Sequence, residues 1–561
     1  MSEIKPVEVF KIEAGVGKTH MAIMDGVMPA LRAGKNIVFA VPEHNLSEEI
    51  LDKIREAMIS DGLDPNDAQV WKGIMAEGQC ERKADAQKVS KAGLSVASNL
   101  CFKPLTITVD GMLEPEKRII GRTLSCPLGE GSDCCAMMQQ RGQRPRLWIT
   151  THSSLMSERE AKFEGLGDVD LLIVDESPLK AALPSRNATN SILLGDLSSL
   201  PMTVNEKLEA VDPAPDEVLK IWQTIARYVG DTSCEDWRQF SDGYASFIGD
   251  VGEAIAWHEY QLKMFRLPSG LEGAKLGHAI EARKGGAVHK VRLQILKEIK
   301  RLQGDGAITK GLIVERWKDI DGLDQCALKF SEARSIDASW CSEKTEIKLL
   351  DATAPNDLSI LTPIFKRPLE YKINGSAEWP SPNVVNVTQI LDAPYTASKR
   401  DSERNKKHMR SFVRHVCKRH SGDVLAVLQA NSSMFDDDHQ KPDNLDITST
   451  GRARGSNAWE DCEAVIIMVQ ADAGPEMVEW QAAMLGLLDY RLPLQDDGGR
   501  AWWTRNHRNL KTRDGRSFTV KNPDHPSARV SVLRSQMVQA TLYQAIARSR
   551  FVNRTADTPL A

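Results

Sequence analysis

Short apolar runs bounded by glycine, proline and polar residues recur along this chain, alternating with stretches of helical periodicity. Val7 to Phe10 is the first run, and Met21, Ala22, Val27, Met28 and Leu31 follow it at helical spacing. Gly34 suits the end of that helix, because glycine takes the left-handed conformation of a C-cap without strain. Asn36 to Val41 is next, a continuous apolar run stopped by Pro42, with a helix expected from about Ser47 because Glu48 and Glu49 fall in its first turn. Leu147 to Thr150 and Leu171 to Val174 repeat the pattern. Runs that do not alternate with polar residues predict strands buried on both faces, as in a parallel sheet covered by helices.

The middle reads differently. Glu217 to Tyr228, Cys234 to Phe247 and Val288 to Leu302 predict helices, entered through the proline-rich Asp212 to Pro215. A β-pair over Gly311 to Trp317 and Cys326 to Ile336 leads out of it. Apolar strands then resume at Ile347 to Leu350, Val424 to Leu428 and Ala464 to Met468, with a basic helix over Arg404 to His420 between the first two. A last helix begins near Ser531.

Composition narrows the class. A chain of 561 residues exceeds one core, so several domains are expected. The net charge of −5 confines any polyanion-binding surface to a local groove. No apolar run is long enough for a bilayer and no signal peptide stands at the start, which predicts a cytoplasmic protein without a membrane partner. In that compartment the ten cysteines are expected as thiols or metal ligands.

The candidate chemistry sits at strand ends. Ala14-Gly15-Val16-Gly17-Lys18-Thr19-His20 follows the first strand and opens the first helix. Glycines there let backbone N–H groups turn toward phosphate oxygens, and the helix N-terminus adds positive partial charge. Lys18 would reach the β- and γ-phosphates of ATP, and the Thr19 hydroxyl would hold Mg²⁺. The usual phosphate-loop pattern has glycine where Ile12 stands. Asp175 and Glu176 end the fourth strand, where Asp175 can complete the Mg²⁺ shell and Glu176 can orient the attacking water.

The order of this loop, Val41-Pro42-Glu43-His44-Asn45-Leu46, Thr150-Thr151-His152-Ser153-Ser154-Leu155 and Val174-Asp175-Glu176-Ser177-Pro178 resembles motifs I, Ia, Ib and II of superfamily 2 helicases, the DinG/XPD-like group in particular. Ser177-Pro178 departs from that group's Ala-His. The resemblance implies an α/β fold with two RecA-like parallel-sheet motor lobes, the first carrying a cysteine-containing insertion and a mainly helical, arch-like insertion. The expected division is 1–60 with 145–185 for the first lobe, 61–144 for the cysteine insertion, 186–338 for the helical insertion and 339–561 for the second lobe.

The same resemblance places an iron–sulfur domain where Cys80, Cys101, Cys126, Cys134 and Cys135 fall, with one of the last two completing a four-cysteine set. No CxxC pair marks the site, so a [4Fe-4S] cluster, Zn²⁺ and a metal-free remnant all remain open. Asp351-Ala352-Thr353 resembles motif III, usually Ser-Ala-Thr. The loop from Ser449 to Asp461 resembles motif V, with Arg454 and Asn457 as candidate phosphate contacts. Gln544, Arg548 and Arg550 resemble motif VI, with Ala547 in place of glycine and Arg550 one place early; Arg548 is the first arginine-finger candidate and Arg550 the second. The chain stops soon after, which is short for such a lobe.

The implied activity is an ATP-dependent DNA helicase or translocase on single-stranded or forked DNA, moving 5′ to 3′ by resemblance. Trp502 and Trp503 among Arg505, His507, Arg508, Lys511 and Arg513 suit base stacking and phosphate contact. Trp222, Trp237 and Trp257 are expected in the core. Three other readings stay open: a phage or plasmid primase–helicase accessory protein, a binding module whose ATP site is a switch or is dead, and a packaging-type motor with a nuclease, for which Asp436-Asp437-Asp438 is a weak match.

Overall fold

The structure is a computed structural model. It describes residues 4–12, 17–73, 79–80, 82–91, 96, 102–109, 116–124, 144–157, 167–183, 190–199, 214–231, 248–265, 267, 273–283, 285–305, 311–318, 321–374, 402–428, 434–435, 440–449, 459, 461–468, 474–487, 504–511 and 516–547.

The chain begins with β1 (Val7–Lys11) and α1, which runs over 18–32 in three pieces, Lys18–Met21, a π-helical segment Ala22–Val27, and Met28–Arg32. Gly34 closes it at φ +71°, as its position predicts. Next come β2 (Ile37–Val41), α2 (His44–Ser60) and β3 (Ala68–Val70). The second helix starts at His44, a turn before the expected Ser47, because Glu43 already has the extended conformation of an N-cap. Helix α3 (Lys83–Lys91) and the hairpin of β4 (Phe102–Val109) with β5 (Glu116–Leu124) follow. The chain then returns through β6 (Leu147–Thr151) and β7 (Leu171–Asp175).

The helical insertion opens with β8 (Asn190–Leu193) and contains α4 (Asp216–Gly230), α5 (Gly252–Met264), α6 (Gly273–Glu281) and α7 (Gly285–Asp305). It closes with β9 (Leu312–Lys318) and β10 (Asp324–Phe330), which pair antiparallel; β8 adds to the other edge of β10. Helix α4 buries Val218, Ile221, Trp222, Ile225 and Val229, a stripe at i, i+3, i+4, i+7 and i+11. Trp222 is fully buried, as expected. Its indole N–H donates to His258 Nε2 at 3.1 Å, and His258 Nδ1 lies 3.0 Å from His289 Nδ1. The Arg292 guanidinium stacks over the Trp222 ring at 4.5 Å and donates to the carbonyls of Asp196 and Ser199. This polar knot lies inside an otherwise apolar core. Ala86 and Val89 of α3 pack on Leu276 and Ile280 of α6, so the cysteine-containing insertion rests on the helical one.

After the insertion come β11 (Glu346–Leu350) and β12 (Leu369–Asn374). Both are parallel partners of β1. The first sheet therefore has the order β12-β1-β11-β7-β2-β6-β3. A boundary at residue 338 would assign β11 and β12 to the second lobe. Instead they lie in the first sheet, whose chain extends to Asn374. The physical reason is that a parallel strand can join anywhere in a sheet where both of its faces find cover, and chain order does not fix where. Strand β2 is buried on both faces. Ile37, Phe39 and Val41 meet α1 and α2, whereas Val38 and Ala40 meet the layer of Leu155, Leu179 and Trp340. That two-sided cover is what the unbroken apolar runs encode.

The second lobe starts with α8 (Glu403–Arg419) and the parallel strands β13 (Val424–Leu428), β14 (Leu445–Ser449) and β15 (Ala464–Met468), in the order β14-β13-β15. Met409, Val413 and Cys417 of α8 cover Ala426 and Leu428 on one face. Then come α9 (Pro475–Met484), the antiparallel pair β16 (Thr504–Lys511) and β17 (Ser517–Asp524), and α10 (Ala528–Ala547). Helix α9 docks on the first lobe: Trp480 Nε1 donates to Gly311 O at 3.1 Å, and Val478, Trp480 and Met484 join that lobe's core. Helix α10 reaches both lobes. Val530 and Leu533 near its start belong to the core of the first sheet, whereas Tyr543 and Ile546 pack beside Leu425 and Val427 of the second.

Candidate functional site

The sheet order brings the two expected motifs together. Strands β1 and β7 flank β11, which pairs with both in register: Phe10 with Leu350, and Leu350 with Asp175. With about 4.8 Å between neighbouring strands, the tips of β1 and β7 lie roughly 10 Å apart. All three strands end at one edge. In open parallel sheets that edge is where ligands bind.

Two hydrogen bonds lock the edge. Glu176 N–H donates to Leu350 O at 2.8 Å, and Asp351 N–H donates to Phe10 O at 3.1 Å. The chain is thus stitched from the acidic strand, through β11, to the strand that leads into the glycine turn. Gly17 has φ +90°, a left-handed conformation that glycine takes freely, and it caps α1 through Met21 N to Gly17 O at 2.9 Å. Lys18 and Thr19 open that helix and are half-buried; His20 is exposed. Ala14, Gly15 and Val16 lie outside the described residues.

Asp175 is 5 % exposed, at the very end of β7, and Glu176 is half-buried just beyond it. Glu176 has φ +66°, one of two described non-glycine residues with positive φ. The left-handed region costs a residue with a Cβ about 1–2 kcal/mol. Such strain persists where surrounding contacts over-determine it, and here the bond to Leu350 does so.

Asp351 stands where the motif III pattern has a serine. It is 1 % exposed, and one carboxylate oxygen accepts from Thr353 N and Thr353 Oγ1, at 2.8 and 2.7 Å. Its other oxygen has no partner among the described residues. A carboxylate with a bare oxygen between the two motifs is a feature the sequence placed in the wrong lobe. On the next strands along, His44 begins α2 and His152 lies buried at the end of β6. Burial, helped by Lys72, holds the His44 imidazole below its ordinary range.

The remaining expected residues divide. Gln544 lies on α10, within the last turn of the helix. Arg548 and Arg550 lie beyond the described residues, as do Arg454, Asn457, Trp502 and Trp503. Cys80 is half-buried, and Cys101, Cys126, Cys134 and Cys135 lie outside the described residues. Among the described residues no cluster of three or more His, Cys, Asp or Glu is arranged to hold a metal, and no helix is long and apolar enough to cross a membrane. Thr19 and Asp175, a hydroxyl and a buried carboxylate on elements that meet at one edge, have the oxygen chemistry that Mg²⁺ takes.

No family model matches the chain, and no curated protein matches it. Among solved structures the chain is similar to "XPD_Helicase", with 13 % identity and a TM-score of 0.40 over 97 % of this chain and 90 % of that one. It is similar to "XPD_APO" at 11 % identity and a TM-score of 0.38, over 86 % and 85 %. It is also similar to "Structure of S. tokodaii Xpd4" at 11 % identity and a TM-score of 0.36, over 86 % and 84 %.

Proposed function

We propose that this protein is a nucleic-acid-stimulated ATP hydrolase that works as a two-lobed motor on single-stranded or forked DNA. One observation carries the reading. Strand β11 holds the glycine-turn strand and the Asp-Glu strand on its two sides, with their ends at a common edge. In the proposed reaction the loop from Ala14 to His20 wraps the phosphates and Lys18 neutralises charge on the β- and γ-groups. Thr19 and Asp175 would hold Mg²⁺, which when bound screens the phosphate oxygens. Glu176 orients a water for attack on the γ-phosphorus and takes up its proton. Gln544, Arg548 and Arg550 approach from the second lobe, where an arginine stabilises charge on the transferring phosphoryl group. Cycles of closure and release then shift the grip of the lobes along a strand, 5′ to 3′.

The cysteine insertion is proposed to be held by a [4Fe-4S] cluster or by Zn²⁺ on Cys80, Cys101, Cys126 and one of Cys134 and Cys135. A visible spectrum of the purified protein separates the two, since only the cluster absorbs broadly. The motor reading is tested by ATP turnover with and without single-stranded DNA, in the native chain, Lys18→Ala and Glu176→Gln. Stimulation by DNA, with loss in both variants, supports it. Turnover indifferent to DNA and to Lys18→Ala would leave a binding module.

A further inference from the structure

Helix α8 carries an exposed, largely basic stripe whose arginines and lysines have no partners among the described residues. Around the helix axis, Arg404, Lys407, His408, Ser411, His415, Lys418 and Arg419 fall within one face and are all exposed. The opposite face is the one buried on the second sheet. The helix's other basic residues are engaged at its flanks. Lys406 and Arg410 pair with Glu403, Arg410 also donates to Met434 O, and Arg414 donates to Gln440 O at 3.1 Å and stacks over Phe435 at 5.7 Å. Arg404, Lys407, Lys418 and Arg419 make no ion pair or hydrogen bond to any described residue. Elsewhere, exposed lysines such as Lys53, Lys72 and Lys297 hold a glutamate.

We propose that this stripe, which lies on the second lobe and outside the strand-edge site of the first, is a docking surface for a nucleic-acid phosphate backbone. The proposal rests on the motor reading above. Three features favour a polynucleotide. The face carries no apolar anchor, which a protein partner would need for its central contacts and a phosphate chain would not. It is linear, about 25 Å over the 17 residues of the helix. Its start also lies at the carboxyl edge of the second sheet. Four residues, 420–423, separate α8 from β13, so the helix runs back along the sheet with Arg404 and Lys407 toward the carboxyl ends of its strands. The bond from Arg410 to Met434, beyond the end of β13, marks that orientation, and the bonds from Asn444 to Cys417 and His420 mark the other end. A strand crossing the carboxyl edge of the second sheet would therefore meet the stripe and follow it down the outer face of that lobe.

The test is binding of labelled oligothymidine to the full chain at several salt concentrations. The native protein is compared with a variant in which Arg404, Lys407, Lys418 and Arg419 are all changed to Gln. Two half-variants, Arg404→Gln with Lys407→Gln and Lys418→Gln with Arg419→Gln, cover a failure of the fourfold change to fold, judged by melting. Each phosphate contact contributes about 0.7 to the slope of log affinity against log salt, so the slope should fall by about 3 and the affinity by about tenfold to a hundredfold near physiological salt. Equal affinity and slope in native and variant proteins would overturn the inference while leaving the motor reading intact, provided DNA still stimulates turnover. Absence of any oligonucleotide binding by the native protein would overturn both. Stripe-dependent binding to phosphatidylserine vesicles without oligonucleotide binding would assign the surface to a membrane and overturn the inference.

Discussion

The backbone N–H of Glu176 donates to the carbonyl of Leu350 over 2.8 Å, joining a residue in left-handed conformation to the end of the neighbouring strand. That bond fixes where the acidic pair points. It also joins residues 174 positions apart in sequence, on either side of the whole helical insertion. The edge of the first sheet is therefore completed only when the chain has passed through the insertion and returned.

Glu176→Gly separates stability from chemistry. Losing the Cβ relieves about 1–2 kcal/mol of left-handed strain, against about 0.5–1 kcal/mol of added chain entropy. Melting should hold or rise slightly, whereas turnover falls by about a hundredfold or more with the carboxylate gone. A clear drop in melting temperature would contradict the strained geometry.

The buried imidazoles make the helical insertion acid-sensitive. Burial, with His289 and Arg292 beside it, pushes His258 down to about 2, and burial with Arg292 pushes His289 down to about 4. Both stay neutral in the fold while the unfolded chain takes up protons as pH falls through about 6.5. The unfolded state then binds more protons, so the stability present above pH 6.5 is lost below it, at up to about 1.4 kcal/mol per pH unit from each histidine until its folded value is reached. Tryptophan fluorescence from Trp222 and Trp257 during acid titration should report this loss between pH 6 and pH 4, and His289→Phe should flatten it.

Gly311→Ala should damage the junction between the insertion and α9. Gly311 has φ +127°, and a Cβ there would meet the Ser331 carbonyl oxygen at 1.8 Å and Met484 Cγ at 3.0 Å. The backbone cannot give way without breaking the bond from Trp480 to Gly311 O. A cost of about 3 kcal/mol or more is expected, read as a lowered denaturant midpoint.

Glu479 and His525 form a buried pair at 2.9 Å between α9 and the start of α10, with exposures of 1 % and 0 %. Ser527 N–H donates to the other imidazole nitrogen at 3.0 Å, so the ring is held on both sides. Glu479→Ala should cost about 2–3 kcal/mol by leaving a buried donor unpaired, and Glu479→Gln should cost less because its carbonyl still accepts. Equal losses in the two variants would mean the pair contributes charge rather than a hydrogen bond.

Much of this was legible in the chain. Strands β2, β6, β7 and β13 announce themselves because two-sided burial leaves a nearly unbroken apolar run, and β1 and β15 because most of their residues are apolar although one face is only half-buried. Strand β12 does not. Leu369 to Asn374 lies at the sheet edge with exposed charges, and nothing in it marks a partner for β1. Strand β3 is three residues long, below the length at which a pattern forms. The assignment of Ile347 to Leu350 to the later lobe failed because its hydrogen-bond partners are set by three-dimensional cover, which order along the chain leaves open. The strand-end positions of Lys18, Thr19, Asp175 and Glu176 are legible in the sequence, but the strain at Glu176 and the bare oxygen of Asp351 are not. Residue type says nothing about φ, and a buried carboxylate reads like any other aspartate.

Helix α10 has its beginning sunk in one hydrophobic core and its end against another, with about 15 Å of continuous helix between Leu533 and Tyr543. A rod anchored at both ends cannot let the sheets swing as independent bodies. Any rotation of one against the other must tilt it, and because the helix is continuous the tilt carries to the turn that holds Gln544. Opening and closing of this molecule would thus be geared to a single axle, and loosening either anchorage should uncouple the lobes before it unfolds them.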